Sequence, residues 1–116
     1  MMLRRSWAFL LLLGMAVIGL PGPSRARAED PSFPLTIRGH RFEPSELHVP
    51  AGVKLRLVVR NADATVEEFE SYSLHREKIV PGGGEITVLV GPLSPGTYDF
   101  FGDFNPQTAQ GRIVAK

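Results

Sequence analysis

An all-β sandwich of about eight strands is what this sequence predicts, and three observations carry the prediction. Apolar residues alternate in short runs. Pro, Gly, Asn and Asp interrupt those runs at intervals of about ten residues. No segment sustains a helical period, although residues 102–110 leave room for a single helical turn.

The elements follow in order. Glu29 to Pro34 reads as a short flexible leader, and Leu35 and Ile37 mark a first strand. Leu47 and Val49 mark a second, ended by the Pro50-Ala51-Gly52 turn. Lys54 to Arg60 alternates cleanly, with Leu55, Leu57 and Val59 on one face and Lys54, Arg56 and Arg60 on the other, as in a half-solvated antiparallel strand. Asn61-Ala62-Asp63 turns the chain into a strand from Val66 to Ser71. Arg76 to Val80 is the next, Pro81-Gly82-Gly83-Gly84 is a loop, and Glu85 to Val90 resumes the alternation. Gly91-Pro92 and Ser94-Pro95-Gly96 bracket a turn into Thr97 to Phe101, and Gly111 to Ala115 closes the chain after an irregular stretch.

Residues 1–28 stand outside this pattern. Arg4 and Arg5 precede an apolar run from Trp7 to Leu20, then Pro21-Gly22-Pro23 and an Ala26-Arg27-Ala28 ending that fits an A-x-A cleavage site. The run is shorter than the roughly 20 residues a spanning helix needs. The expectation is therefore a signal peptide cleaved after Ala28, a periplasmic protein with no membrane insertion after cleavage, and one domain over residues 35–116. The arginine pair leaves the Sec and twin-arginine routes both open.

Cleavage changes the chemistry on offer. The full chain has 13 Lys and Arg against 12 Asp and Glu, and residues 1–28 hold four of the basic residues and none of the acidic ones. The remainder carries nine against twelve, a net charge of −3. That disfavours nucleic acid, which calls for clustered Lys and Arg, and favours cations. The chain has no Cys, and Met1, Met2 and Met15 all fall in residues 1–28, so residues 29–116 contain no sulfur. Composition thus excludes a disulfide scaffold, a thiolate nucleophile, zinc–cysteine and iron–sulfur centres and a Cu(I) thioether site. Nucleophilic hydrolysis has no G-x-S-x-G to rest on, and the triple glycine leads into a strand rather than a phosphate-cradling helix.

Several short motifs then occur in one order: Phe42-Glu43-Pro44, Val49-Pro50-Ala51-Gly52, Leu57-Val58-Val59-Arg60-Asn61, Gly91-Pro92-Leu93, Pro95-Gly96-Thr97-Tyr98 and Gly111-Arg112-Ile113-Val114. From Arg41 onward the chain resembles a cupredoxin-like domain, which implies a Greek-key β-sandwich. In the blue-copper members two His, a Cys and a Met hold the copper. Read in register, those places fall at Glu67, Gly102, Asn105 and about Ala109, so the resemblance implies no type 1 copper centre here. Glu68-Phe69-Glu70, His75-Arg76-Glu77-Lys78 and Phe101-Gly102-Asp103-Phe104 are similar to the branch associated with bacterial iron uptake, the EfeO-type cupredoxin domain and the small cupredoxin-like partner of ferrous-iron permease systems. That resemblance implies iron or Cu(II) handling beside a membrane iron permease and other periplasmic uptake components.

Strand geometry alone points to the same residues. Alternate side chains share a face, so Glu68 and Glu70 project together, about 7 Å apart at Cα, while Phe69 turns to the core. Like charges that close repel unless a cation or a basic side chain lies between them. Arg76, Lys78 or Arg60 would supply the basic side chain; a metal ion is the other solution. His75 and Glu77 share a face by the same rule, and imidazole is a common metal ligand. Glu67 points the opposite way, towards the place of the family's copper. Asp103 sits in the loop that holds the Cys of copper-bearing relatives, and His40 lies in a turn before Arg41-Phe42, whereas His48 reads as an ordinary strand residue.

The candidate metal ligands are thus Glu68 and Glu70, followed by His75, Glu77, Glu67, Asp103 and His40. Carboxylates with one or two imidazoles suit iron or Cu(II). An accessory role in ferrous iron oxidation needs an electron acceptor outside this chain. A metal-free adaptor and a Cu(II) carrier are the alternative readings.

Overall fold

The computed structural model describes residues 29–116 and, before them, Gly19; the expected signal peptide otherwise lies outside the described residues. Nine strands and no helix occur among the described residues: β1 Ser32–Arg38, β2 Arg41–Glu43, β3 Glu46–Val49, β4 Leu55–Asn61, β5 Glu67–Ser71, β6 Arg76–Val80, β7 Glu85–Val90, β8 Gly96–Gly102 and β9 Gln110–Ala115. They form two sheets, ordered β2-β1-β4-β7 and β3-β9-β8-β5-β6. The β1–β4 and β3–β9 pairs are parallel and the remaining pairs antiparallel; β1–β2, β5–β6 and β8–β9 stay within one sheet, and the other connections cross between the layers.

Two boundaries differ from the sequence reading. The first strand begins at Ser32 inside the expected leader, because residues 32–37 find a parallel partner in residues 56–61 of β4, and Phe33 packs against the core. A parallel pairing of distant segments leaves no local signature. The second difference is β2, which is too short for any alternation to show. Gly39 and His40, with φ of 59° and 56°, form the two-residue turn between β1 and β2. Positive φ at both central positions matches the right-handed twist of the strands. Their N–H groups donate to the two carboxylate oxygens of Asp63, at 2.8 and 2.9 Å.

The core is the expected one. Leu55, Leu57 and Val59 of β4 are buried, as are Leu35, Ile37, Val88, Val90 and Ile113. Phe42, Phe69 and Phe100 pack as a cluster with Phe42 edge-on to both others, at centroid distances of 4.9 Å to Phe100 and 6.2 Å to Phe69. Such pairs add about 0.5–1.5 kcal/mol to what burial alone supplies. The cluster anchors the middle of β5 and so orients Glu68 and Glu70 away from the core.

One open side of the sandwich is closed by side chains. Arg76 Nε donates to the Leu89 carbonyl at 2.9 Å and Lys78 Nζ to the Thr87 carbonyl at 3.0 Å, joining the edge strand β6 to the edge strand β7. Charged side chains on an edge also blunt it against pairing with other chains. No helix of the described residues is long and apolar enough to cross a membrane.

Candidate metal centre

Residues of β5 point alternately to two environments, and each has its own chemistry. On the outer face, Glu68 and Glu70 are joined by Asp103 from the loop after β8. One carboxylate oxygen from each lies within 4.8 Å of the others. The loop reaches them because the Asp103 N–H donates to the Glu68 carbonyl at 3.3 Å. Glu68 is buried beneath it, Glu70 is half-buried and Asp103 is exposed. Glu77 stands opposite Glu70 in the β5–β6 register and shares a hydrogen bond with the Glu68 carboxyl.

Among the described residues no basic side chain forms an ion pair with this cluster, and the ion pairs they do form involve Glu43, Asp63 and Glu46. Of the neutralising partners weighed from the sequence, Arg76 and Lys78 reach the β7 carbonyls instead, and Arg60 lies on β4 of the other sheet. The electrostatic consequence falls on Glu68. Its hydrogen bond to Glu77, its burial, and the charges of Glu77, Glu70 and Asp103 push its pKa up to about 7. Burial, then the charges of Glu77 and Asp103, also raise that of Glu70.

A pH dependence follows. Glu68 holds a proton more tightly in the folded protein, at about 7, than at its ordinary 4.5, so its contribution to stability is complete below about 4.5 and is lost as pH rises through about 7. Glu70 acts in the same direction. Asp63, held below its ordinary 3.8 by the His40 and Gly39 N–H groups, loses its contribution only at lower pH. Without metal, the melting temperature is expected to fall between about pH 5 and about pH 8. A flat or rising profile in that window would show that Glu68 does not hold its proton more tightly in the folded protein.

On the inner face, Glu67 is 1% exposed and its carboxylate is fully engaged by the protein. Oε1 accepts from the N–H groups of Glu68 and Phe104, both at 3.0 Å, and Oε2 accepts from Asn105 Nδ2 at 2.6 Å. The four register positions of a type 1 site do converge here. A Cβ on Gly102 would lie 2.7 Å from Glu67 Cδ and 2.8 Å from Ala109 Cβ. The space is occupied by a carboxylate, an amide and a methyl group, with no sulfur or imidazole, so a type 1 copper ion does not fit.

The two histidine candidates stand elsewhere. His40 lies within the β1–β2 turn that Asp63 caps, with its ring Nδ1 3.7 Å from Asp63 Oδ2, and does not join the carboxylates. His75, with φ 54°, ends the turn before β6 and lines a cleft of about 480 Å³ with Glu70, Tyr72, Arg76 and Glu77, beside the cluster but not among its converging atoms. His48 lies exposed on β3, 3.7 Å from Glu46, as an ordinary strand residue. The residue whose part the sequence reading missed is Asn105. Only its place in register marked it, and its bond to Glu67 spans 38 positions of sequence.

Comparison with known proteins agrees with this fold. The family model described as "Cupredoxin-like domain" matches residues 8–115. An uncharacterized protein of Rickettsia prowazekii (strain Madrid E) is 46% identical over 93 residues, covering 80% of this chain and 74% of that one. Among solved structures, auracyanin A, a "blue" copper protein of Chloroflexus aurantiacus, superposes with a TM-score of 0.63 at 15% identity, over 73% of this chain and 98% of its own. Amicyanin from Paracoccus versutus gives 0.58 at 14% identity, over 77% and 83%. At these identities the two structures speak to the fold alone.

Proposed function

The chain belongs to the cupredoxin-like domain family, and from that premise we propose that it is an exported metal-binding protein that carries iron or Cu(II) on the outer carboxylates of β5 and assists ferrous iron uptake. The observation that supports this reading is the convergence of Glu68, Glu70 and Asp103, with Glu77 beside them, and the lack of any basic partner among the described residues. A cation relieves the repulsion that the protein itself leaves in place. Oxygen donors suit iron and other hard ions, and Cu(II) binds most strongly among divalent ions wherever both compete. The metal is cargo in this reading. Glu68 and Glu70 bind it, Asp103 closes over it from the loop, and Glu68 gives up its proton as it enters.

Export is supported by the apolar run and Ala26-Arg27-Ala28 ending of residues 1–28. The iron-uptake setting, with a membrane permease and other periplasmic components as partners, is supported by the Glu68-Phe69-Glu70 motif and its resemblance. Cu(II) is supported by the donor chemistry of the site, since it binds most strongly among the divalent first-row ions at a given set of ligands.

Calorimetric titration of residues 29–116, which hold all nine strands, tests the proposal. Cu(II), and Fe(II) under anaerobic conditions, are expected to bind with micromolar or tighter affinity. Affinity should rise with pH through about 7, with release of about one proton. Binding of Cu(II) alone would assign the protein to copper carriage, and binding of neither metal would overturn the proposal in favour of a metal-free adaptor.

A further inference from the structure

Of the four clustered carboxylates, Asp103 alone comes from a loop rather than from β5 or its neighbour β6, so something must hold that loop over the outer face. The sheet does so only up to Gly102, the last residue of β8, which pairs with Phe69. Beyond it the backbone turns, with the Ala109 N–H donating to the Asn105 carbonyl at 2.8 Å and the Gly102 N–H to the Ala109 carbonyl at 2.8 Å. These bonds close the loop on itself. What ties it to β5 near Asp103 is the Asp103 N–H on the Glu68 carbonyl and, on the residues just after it, the Glu67 carboxylate, which takes the Phe104 N–H and the Asn105 amide.

We propose that Glu67 is a positioning residue rather than a metal ligand: its buried carboxylate clamps Phe104 and Asn105 from the inner face of β5 and thereby sets Asp103 beside Glu68 and Glu70 on the outer face. Adjacent residues of one strand thus divide the work, because neighbouring side chains leave a strand on opposite sides. Three N–H donors fix the Glu67 carboxylate, and charge-assisted bonds of this kind are among the stronger ones in proteins. Both oxygens are accounted for, and the 1% exposure of the residue leaves an incoming cation no approach to them. The inference rests on the metal-binding reading for its functional consequence and on the hydrogen bonds for the clamp itself.

The test separates the two parts. In Glu67→Gln the amide oxygen keeps the Glu68 and Phe104 N–H groups, and Asn105 turns its own amide to accept from the new NH₂. This variant is expected to hold Cu(II) with a Kd within about threefold of wild type, whereas loss of an outer-shell support typically costs about tenfold or more. Glu67→Ala and Asn105→Ala are expected to show that larger loss, together with faster hydrogen exchange at the Phe104 amide of the metal-free protein. Asn105→Ala keeps the measurement decisive should the cavity in Glu67→Ala prevent folding. If Glu67→Gln weakens Cu(II) as strongly as Glu68→Gln, Glu67 is a ligand and the inference is overturned. It is equally overturned if both alanine variants leave exchange at Phe104 unchanged. Should the wild-type protein take up neither Cu(II) nor Fe(II), the proposed function falls, and the clamp stands or falls on exchange alone.

Discussion

Replacing Glu68 and Glu70 together by Gln is expected to lower the affinity for Cu(II) or Fe(II) by about a hundredfold or more, about tenfold for each carboxylate lost, while the sandwich stays folded. Both side chains leave the outer face of β5, and neither donates to or accepts from another element through a bond that the core needs. The second half of the result has the opposite sign. In the metal-free wild type the ionised carboxylates of Glu68, Glu70, Glu77 and Asp103 repel one another above about pH 7. Two neutral amides remove most of that repulsion, so the variant should melt at a higher temperature than wild type at about pH 8 and lose most of the fall expected between about pH 5 and about pH 8. A gain in stability joined to a loss of affinity is what a ligand cluster predicts. Retained affinity would dismiss the outer carboxylates as the site. A fall in melting temperature would mean that they hold the fold together instead.

Gly102→Ala and Gly102→Cys are expected to destabilise the fold by overpacking the inner face of β5. A Cβ at this position meets Glu67 Cδ at 2.7 Å and Ala109 Cβ at 2.8 Å, distances that real Cβ atoms do not tolerate. Neither neighbour is free to swing away, since Glu67 is held by three hydrogen bonds and Ala109 is fully buried. Overpacking of this kind costs about 1–3 kcal/mol. For a domain of this size each kcal/mol lowers the melting temperature by about 4–8 °C. Contact between the two side chains makes the effects of Gly102→Ala and Glu67→Ala non-additive, with the double variant losing less than the sum. Strict additivity in thermal denaturation would refute the clash. Gly102→Cys supplies the sulfur that copper-bearing relatives use, yet Cu(II) is expected to give it no intense visible absorption, because Glu67 and Asn105 stand where imidazoles are needed.

Period-2 alternation was sufficient to place seven of the nine strands close to their bounds, to send Phe69 inward, and to put Glu68 and Glu70 on one outer face. Composition was sufficient to exclude a thiolate-bound metal. These properties are local, since a strand's two faces and a chain's donor atoms are written in neighbouring residues. The parallel start of β1 at Ser32 and the three-residue β2 were out of reach, because one depends on a partner about two dozen residues away and the other is too short to repeat.

The site divides along the same line. Alternation by itself determined that two carboxylates of β5 would lie side by side, and the register by itself determined that no sulfur or imidazole would stand at the family's copper positions. Only the tertiary structure decided that Asp103 and Glu77 join them, that Arg76 and Lys78 turn to β7, that His40 serves Asp63, and that Glu67 is satisfied by Asn105. The physical reason is that a side chain's direction follows from its own backbone, whereas its partner is whatever the path of a distant loop brings within hydrogen-bond reach.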